Sequence, residues 1–314
     1  MKERLLVVLG PTAVGKTDLA VELALRHDGE VVSGDSMLVY RGLDIGTAKP
    51  LLEERRGVPH HLIDILDPNE PYDAVRFGEQ AEAAVKEIQG RGRLPVLAGG
   101  TGLYVQAFLE GYVFSEVAED APFREEMEAL AQKEGNEAVH RLLQKADPLS
   151  AAKLHPNNLR RVIRALEVAR QGGETLSLGK KAGLASSWLD QSLVVGLTME
   201  RSALYRRIEQ RVERMAAAGL EAEVKRLLAA QVEPTCQSMQ GIGYKEMVAH
   251  LQGQYSVEET VATIQKNTRH FAKRQFTWFK RMPYVQWFDV GQAGWREEVF
   301  SLVRHWEQTG SRCT

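Results

Sequence analysis

An eight-residue segment near the start of the chain has the residue types of a phosphate-binding loop. It matches the pattern G-x-x-x-x-G-K-[ST] at every fixed position and comprises Gly10, Pro11, Thr12, Ala13, Val14, Gly15, Lys16 and Thr17. The glycines let backbone N–H groups close around an anion, and the lysine neutralises phosphate charge. The hydroxyl of Thr17 is of the type that reaches Mg²⁺, which makes Mg²⁺ the expected cofactor. The segment predicts binding of a phosphate ester or anhydride, but it names neither the ligand nor the reaction.

Two further polar segments follow predicted strands. Asp35 lies just past the second strand, where its carboxylate could accept a proton from a nucleophile or could cap the following turn. Gly99-Gly100-Thr101 ends the apolar run Leu94–Ala98, where a P-loop NTPase usually carries an aspartate for Mg²⁺. Glycines there let a large group approach the backbone, and the hydroxyl of Thr101 suits positioning of a substrate better than hydrolysis.

The residues after Asp35 are apolar for a nucleotide site. Met37 and Leu38 follow Ser36 directly and would suit a hydrocarbon substrate. The alternative is that they belong to the core, as such residues usually do.

Arginine and lysine are concentrated in three places. The stretch between Glu259 and Asp289 has no acidic residue and carries Lys266, Arg269, Lys273, Arg274, Lys280 and Arg281. A second cluster consists of Arg160, Arg161 and Arg164, and a third, mixed with Glu209 and Glu213, consists of Arg201, Arg206, Arg207, Arg211 and Arg214. The first two predict faces that bind a polyanion through its phosphates, with ordinary solvated helix faces as the alternative. The third is interpreted as partly ion-paired surface from which one or two arginines reach the anion site.

The elements that must position these residues alternate between strands and helices. Predicted strands are Leu5–Leu9, Glu30–Ser33, His61–Leu66, Leu94–Ala98 and Leu193–Leu197, and the clearest helices are Asp18–Leu25, Ala74–Gln89, Asn157–Arg170 and 292–308. The stretch 201–281 is also predicted to be helical. This alternation predicts an α/β fold of the P-loop NTPase type, with a mostly parallel sheet covered by helices on both faces. We expect residues 1–111 and 191–314 to form the catalytic domain, with C-terminal helices, and 112–190 to form an all-helical insertion domain that contacts RNA.

Composition and charge limit the location of the protein and the partners that it can have. The 314 residues are 44% apolar and 26% charged, with a formal net charge of −2, and only Cys236 and Cys313 carry thiols. No apolar run approaches the roughly 18 residues of a membrane span, and the N-terminus leads straight into the first predicted strand, so no signal peptide is expected. A cytoplasmic monomer without membrane contact is the expectation. The small net charge argues only weakly against a nucleic-acid partner, because local charge distribution matters more.

Several segments together closely resemble the tRNA dimethylallyltransferases, also called isopentenyl-tRNA transferases, over nearly the whole chain. They are Gly10–Thr17; Asp35-Ser36 with Tyr40; Asp44–Pro50; Pro59–Leu62; Gly99–Thr101; His155–Asn157 running into Arg160–Glu167; Gly241–Tyr244; and Ala272–Gln275 with Thr277-Trp278. The run Asp-Ile-Gly-Thr-Ala-Lys-Pro at 44–50 is very specific, whereas many enzymes share the phosphate-binding loop.

The resemblance implies transfer of a dimethylallyl group from dimethylallyl diphosphate to N6 of adenine 37, beside the anticodon of a tRNA. It implies that Lys16, Thr17, the loop amides and Mg²⁺ stabilise the departing diphosphate, assisted by Arg207 or Arg211. Asp35 would take the proton from N6, and Thr101 would position the reacting centre. Such a reaction needs leaving-group stabilisation, alignment and proton removal, because an exocyclic amine is a weak nucleophile.

The resemblance and the basic stretches together give the predicted contacts with the anticodon stem-loop. These are Asp35, Ser36, Met37, Leu38, Thr101, Arg124, Arg160, Arg161, Val162, Ile163, Arg164, Met239, Gln240, Gly241, Ile242, Gly243, Tyr244 and Lys273. Two other functions stay open at this point: a kinase for a small molecule or nucleoside, and a non-catalytic RNA-binding protein switched by a nucleoside triphosphate. Whether ATP binds the loop is also open.

Overall fold

The computed structural model describes residues 4–114, 117, 119–172 and 188–310. Within them one sheet has the strand order β3-β2-β4-β1-β5-β6, and every neighbouring pair is parallel. The strands are β1 (Leu5–Leu9), β2 (Gly29–Ser33), β3 (His60–His61), β4 (Leu94–Gly99), β5 (Ser192–Thr198) and β6 (Gln286–Asp289). The predicted fold class is confirmed.

Helices occupy most of the remaining described chain. They are α1 (Lys16–Arg26), α2 (Leu52–Arg55), α3 (Ala74–Gly90), α4 (Gly102–Glu110), α5 (Ala121–Glu134), α6 (Asn136–Ala146), α7 (Pro148–Ala151), α8 (Leu159–Arg170), α9 (Arg201–Ala217), α10 (Leu220–Ala229), α11 (Tyr244–Leu251), α12 (Val257–Phe279) and α13 (Trp295–Thr309). None of the helices in this part of the chain combines the length and the apolar character that crossing a bilayer requires.

The central strand β1 explains why the sheet is covered on both faces. Its five residues are all apolar and fully buried, as expected for a parallel strand inside an α/β layer. Leu6 and Val8 pack in the cluster that includes buried residues of α1, α9 and α13. Successive side chains of a strand point to opposite faces, so Val7 lies on the other face, which is the side of α3.

Two compact units make up the chain: Met1–Leu109 with Trp188–Thr314, and Glu110–Ser187. The described part of the second unit contains helices α5 to α8. Its own core includes Phe123, Met127, Leu143 and Val162. Because each unit has a core of its own, each is a candidate for independent folding.

Three details differ from the sequence prediction. The strand predicted at 61–66 is wrong beyond His61, because Leu62 and Asp64 have φ angles of 60° and 58°, which end the extended backbone. Strand β6 was not predicted, since its four residues are only partly buried at the edge of the sheet and form no apolar run. The helical stretch predicted from 201 onward consists of α9 to α12, with Gly219 in the left-handed conformation between the first two.

Candidate active site

The phosphate-binding loop lies between β1 and α1, as its sequence context predicts. Ala13 and Gly15 have φ angles of 65° and 110°, so two alternate positions of the loop have positive φ, as in backbone nests that bind anions. A Cβ atom on Gly10 would lie 2.7 Å from the carbonyl oxygen of Leu197, so only glycine fits against β5 there. Helix α1 begins at Lys16, and its free N–H groups and dipole favour an anion in front of it.

Three charged side chains influence one another beside this loop. Burial lowers the pKa of Lys16 to about 8; the negative charge of Asp35 opposes this shift, and the positive charge of Arg211 adds to it. The Lys16 Nζ donates a hydrogen bond to the carbonyl oxygen of Pro11 at 2.9 Å. Burial also lowers the pKa of Arg211, against the opposing effect of Asp35. The site thus combines two cations with one carboxylate.

Asp35 and Thr101 meet at the carboxyl ends of β2 and β4. The Thr101 hydroxyl accepts a hydrogen bond from the Ser36 N–H at 3.0 Å and donates one to the Ser36 Oγ at 3.3 Å. The Asp35 Oδ1 accepts a hydrogen bond from the Met37 N–H at 2.8 Å. This oxygen therefore caps the following turn, which was the alternative to a catalytic role. Among the described residues nothing donates to the Asp35 Oδ2, which leaves this oxygen for a proton on a ligand.

The glycines at the end of β4 leave space for neighbouring backbone and side-chain atoms of the protein itself. A Cβ atom on Gly99 would lie 2.3 Å from the carbonyl oxygen of Gly34, and one on Gly100 would lie 2.5 Å from the Gln275 Nε2. The Thr101 N–H donates to the Gly34 carbonyl at 3.3 Å. Gly99 therefore lets the ends of β2 and β4 approach closely, and Gly100 makes room for the amide of Gln275.

One of the two arginines considered for the diphosphate reaches the loop. The Arg211 Nη1 on α9 donates to the Thr12 hydroxyl at 3.3 Å, whereas Arg207, one turn earlier, is exposed. The Thr12 N–H donates to the Oε1 of Gln275 at 2.8 Å. Gln275 belongs to the family-matching segment 272–275, but the sequence predicts no role for it, although its spacing from the apolar Ala272 and Phe279 places it on the buried face of α12.

The segment 239–244 contains both buried and accessible predicted RNA contacts. Met239 and Tyr244 are fully buried, and Gly243 is buried beside them, so these side chains belong to the core. Gln240 is exposed and Ile242 is partly exposed. Gly241 packs against the side chain of Met37, so the structure brings two of the predicted RNA-contacting segments together. Leu38 lies in the same turn as Met37 and is partly exposed.

The run at 44–50 wraps around a buried carboxylate. The N–H groups of Asp44, Ile45 and Gly46 all donate to the carboxylate of Glu223, and the shortest of these hydrogen bonds is 2.8 Å. The hydroxyl of Tyr244 donates to the same carboxylate at 2.7 Å. A Cβ atom on Gly46 would lie 2.5 Å from the ring of Tyr244. The most specific motif of the sequence therefore builds an internal contact.

In the helical unit, the predicted RNA contacts fall into three groups. Arg124 forms two hydrogen bonds of 2.8 and 2.9 Å with the fully buried Glu167, which Arg164 also contacts. Val162 and Ile163 are buried in the core of this unit, so their side chains pack and are not offered to RNA. Arg160 and Arg161 are exposed.

The basic stretch on α12 is only partly neutralised. Arg269 forms an ion pair of 2.8 Å with Glu209 of α9, so the absence of acid within the stretch does not leave every cation without a partner. Lys266 and Lys273 are exposed on the same helix. The ammonium of Lys280, just past the helix, lies 4.7 Å from the ring centroid of Phe276.

Comparisons with known proteins agree on one family. The family model described as IPP transferase matches residues 38–282, and one described as isopentenyl transferase matches residues 3–64. A tRNA dimethylallyltransferase of Bacillus licheniformis is 50% identical over 306 residues, which is 96% of this chain and 97% of the relative. One of Thermomicrobium roseum is 49% identical over 302 residues, which is 96% of this chain and 91% of the relative.

Solved structures give the same result. The full-length tRNA isopentenylpyrophosphate transferase of Bacillus halodurans is similar with a TM-score of 0.72 at 46% identity, and the match covers 97% of this chain and 96% of that one. A eukaryotic dimethylallyltransferase acting on tRNA is similar with a TM-score of 0.80 at 27% identity, covering 99% of this chain and 80% of that one. On the sequence and the fold together, the chain belongs to the tRNA dimethylallyltransferase family.

Proposed function

We propose that the chain transfers the dimethylallyl group of dimethylallyl diphosphate to N6 of adenine 37 in tRNA, giving N6-isopentenyladenosine and diphosphate. Family membership supports this reaction, and one feature of the site carries it. The Lys16 ammonium and the Arg211 guanidinium both contact the phosphate-binding loop, and the negative charge of Asp35 acts on the pKa of each, so two cations and a carboxylate lie near one another at the ends of parallel strands. Cations suit a leaving diphosphate, and a carboxylate suits the proton of an attacking amine.

The leaving group would be bound by the phosphate-binding loop. Lys16, the amides at the start of α1 and Arg211 all bring positive charge or N–H groups to this loop. Such fixed donors stabilise the charge that develops on a departing diphosphate without further reorganisation. We assign the assisting role to Arg211 and not to Arg207, because Arg211 already contacts Thr12.

Magnesium fits this arrangement as a shared cofactor. Thr17 is exposed in the first turn of α1, and its hydroxyl is a hard oxygen ligand. The described residues contain no cluster of three acidic, histidine or cysteine side chains that could hold a metal alone. Mg²⁺ commonly binds through few protein ligands together with substrate phosphates. When bound, the ion would neutralise charge on the diphosphate.

The accepting amine would lie between Asp35 and Thr101. The Oδ2 of Asp35, the oxygen that does not accept from the Met37 N–H, would hydrogen-bond N6 and take its proton as the new bond forms. Thr101 is held by its hydrogen bonds with Ser36 and would orient the accepting amine. The adenine must leave its stack to arrive there, which costs a few kcal/mol and requires compensating contacts with the rest of the RNA.

The contacts with the anticodon stem-loop are also part of the proposal. The accessible candidates are Ser36, Met37, Leu38, Arg160, Arg161, Gln240, Ile242 and Lys273. The arginines and the lysine offer charge to phosphates, and the uncharged residues near Asp35 offer surface to bases. Arg124 and Arg164 would contact RNA phosphates after giving up part of their hydrogen bonding with Glu167. A cytoplasmic location and a monomeric state stay predictions.

The test is direct. The protein is incubated with labelled dimethylallyl diphosphate, Mg²⁺ and an unmodified anticodon stem-loop, and separately with labelled ATP and the same RNA. We expect label on the adenine in the first reaction and no steady release of phosphate in the second. An unalkylated stem-loop together with steady ATP cleavage would overturn the proposal in favour of a nucleotide-driven function.

A further inference from the structure

The side chain of Gln275 bridges two loops of the active site that are distant in sequence. It lies on α12 and is 5% exposed. Its Oε1 accepts a hydrogen bond from the Thr12 N–H in the phosphate-binding loop, and its Nε2 donates one to the Gly100 carbonyl at the end of β4. Both distances are 2.8 Å. One planar amide thus connects the diphosphate side of the site with the side that carries Thr101.

The chemistry of the two partners requires a carboxamide at this position. A backbone N–H can only donate and a backbone carbonyl can only accept, so the bridging group must offer one acceptor and one donor. Glutamate in its ionised form would present an oxygen to the Gly100 carbonyl, and methionine would offer neither hydrogen bond. The same two partners fix which end of the Gln275 amide is oxygen and which is nitrogen.

The residues around the bridge are shaped to accept it. A Cβ atom on Gly100 would lie 2.5 Å from the Gln275 Nε2, so glycine is needed for the amide to enter. The same Cβ would lie 3.6 Å from the Lys16 Nζ, which shows how close the bridge is to the catalytic lysine. Thr12 is fixed twice, by Gln275 at its N–H and by Arg211 at its hydroxyl.

Other contacts anchor α12 without Gln275. Ile264, Ala272 and Phe279 are buried along the same helix, and Arg269 pairs with Glu209 on α9. Loss of the amide would therefore leave the helix in place and release the two loops that it joins.

We propose that Gln275 is a positioning residue: it sets the spacing between the phosphate-binding loop and the Gly99–Thr101 turn, and so aligns the departing diphosphate with the accepting amine. This inference rests on the proposed prenyl transfer. Gln275 itself touches neither substrate. Alignment of reacting atoms within a bound complex is sensitive to small displacements, since a shift of about 1 Å can reduce a rate by about 100-fold.

The test compares three variants in the full-length chain. Gln275→Met keeps the length of the side chain and removes both hydrogen bonds, whereas Gln275→Glu keeps the acceptor for Thr12 and loses the donor for Gly100. The matched control is Gln265→Met on the same helix, where the amide makes only a 3.5 Å contact with the Glu209 carbonyl. Each protein is measured for its single-turnover rate constant at saturating donor and stem-loop, its Kd for the stem-loop and its melting temperature.

We expect both Gln275 variants to lose about 10- to 100-fold in the single-turnover rate constant, as a misaligned reaction does. Their Kd for the stem-loop should stay within threefold of the original chain, and Gln265→Met should keep the original rate constant. A Gln275 variant that folds and reacts within twofold of the original rate would overturn the inference. Loss of the folded state in both variants would also overturn it, since the residue would then be structural.

Failure of the two proposals is distinguishable. If the unaltered chain does not prenylate the stem-loop, the proposed function fails before any variant is compared. If the unaltered chain reacts and the Gln275 variants react equally fast, only the positioning role fails.

Discussion

Lys16 is the residue whose environment has the most direct consequence in solution. Its pKa is lowered to about 8 from an ordinary value of 10.5, chiefly by burial. A bound diphosphate would raise this pKa again, because it brings negative charge beside the ammonium. The affinity for diphosphate should therefore be complete below pH 8 and fall as the pH rises above 8.

This dependence is measurable by calorimetric titration with inorganic pyrophosphate and Mg²⁺ at pH 7 and pH 9.5. Relative to Lys16→Arg, which stays charged, the original chain should lose affinity by about tenfold over this range, since one unit of pKa shift corresponds to a factor of ten. Parallel pH profiles for the two proteins would contradict the assignment of Lys16.

Asp35 gives the second prediction at this scale. Asp35→Asn retains an oxygen for the Met37 N–H and removes the basic oxygen, so turnover should fall by roughly 10²- to 10⁴-fold, the usual contribution of a general base. Its Kd for the stem-loop should change little. The control is Asp73→Asn, whose carboxylate accepts a hydrogen bond from the Arg76 N–H at the start of α3. Near-normal turnover by Asp35→Asn would remove Asp35 from the mechanism.

Motif spacing predicts which residues lie together when they follow neighbouring parallel strands. Lys16, Asp35 and Thr101 lie in the segments after β1, β2 and β4, and the parallel sheet brings these segments to one edge. Gln275 and Glu223 escape this reasoning, because their partners are 263 and up to 179 residues away in the sequence. Helical spacing places Gln275 on the buried face of α12, but no local pattern identifies the distant loops that such a buried amide or carboxylate joins.

Among the elements, α8 gains its stability from a buried carboxylate. Burial alone would raise the pKa of Glu167, but hydrogen bonds from Arg124, the Asp120 N–H and Arg164 outweigh it and lower the pKa to about 2. Because the folded pKa lies below the ordinary value of 4.5, the stabilisation is complete above pH 4.5 and is lost as the pH falls toward 2.

Hydrogen–deuterium exchange of the amides in α5 and α8 tests this statement. Acidification from pH 5 to pH 3 should accelerate their exchange more in the original chain than in Glu167→Gln. At neutral pH that variant should be less stable by about 1–3 kcal/mol, the usual cost of a disrupted buried hydrogen-bond group. Equal protection in the two proteins at pH 5 would show that the carboxylate adds nothing.

Helix α12 supplies a contrast between a cation with an acidic partner and one that is exposed. If the helix contacts RNA phosphates, Lys273→Gln should weaken stem-loop binding and reduce the slope of log Kd against log salt by about 0.7–0.9. Arg269→Gln should reduce it less, because Glu209 already neutralises that guanidinium. Filter binding at several salt concentrations measures both slopes. Equal slopes in all three proteins would show that this surface is an ordinary solvated helix face that does not contact RNA.

Element prediction succeeded where burial imposes a simple pattern. Strands β1, β2, β4 and β5 are buried between two helical layers and each contains consecutive apolar residues, and their predicted bounds lie within one residue of the observed ones. Strands β3 and β6 lie at the two edges of the sheet, where partial exposure weakens the apolar pattern. Backbone twists such as those at Leu62 and Asp64 depend on neighbours that the local sequence does not reveal.

The whole molecule consists of two units, and their separate cores make a further prediction. The rings of Phe108 and Trp188 stack with centroids 5.8 Å apart, so the chain ends at which the helical unit begins and ends lie close together. Replacing residues 110–187 with a short Gly/Ser linker should leave the sheet-containing unit folded.

The shortened protein should bind inorganic pyrophosphate with an affinity within about threefold of the full chain. Its affinity for the stem-loop should fall by roughly tenfold or more, through loss of the phosphate contacts expected from Arg160 and Arg161. Calorimetry and filter binding measure the two quantities. Full RNA affinity in the shortened protein would show that the helical unit contributes no contacts.

The strand order also determines when each strand finds its partner during translation. The half-sheet β3-β2-β4-β1 is complete in sequence once β4 has been made, whereas β5, which covers the other edge of β1, follows about 90 residues later. At roughly 5–20 residues per second, a ribosome needs about 5–20 seconds to supply it. During that interval one edge of the apolar strand β1 has no partner in the nascent chain, and unpaired strand edges promote aggregation. Chaperone protection is therefore most valuable while the helical unit is being translated.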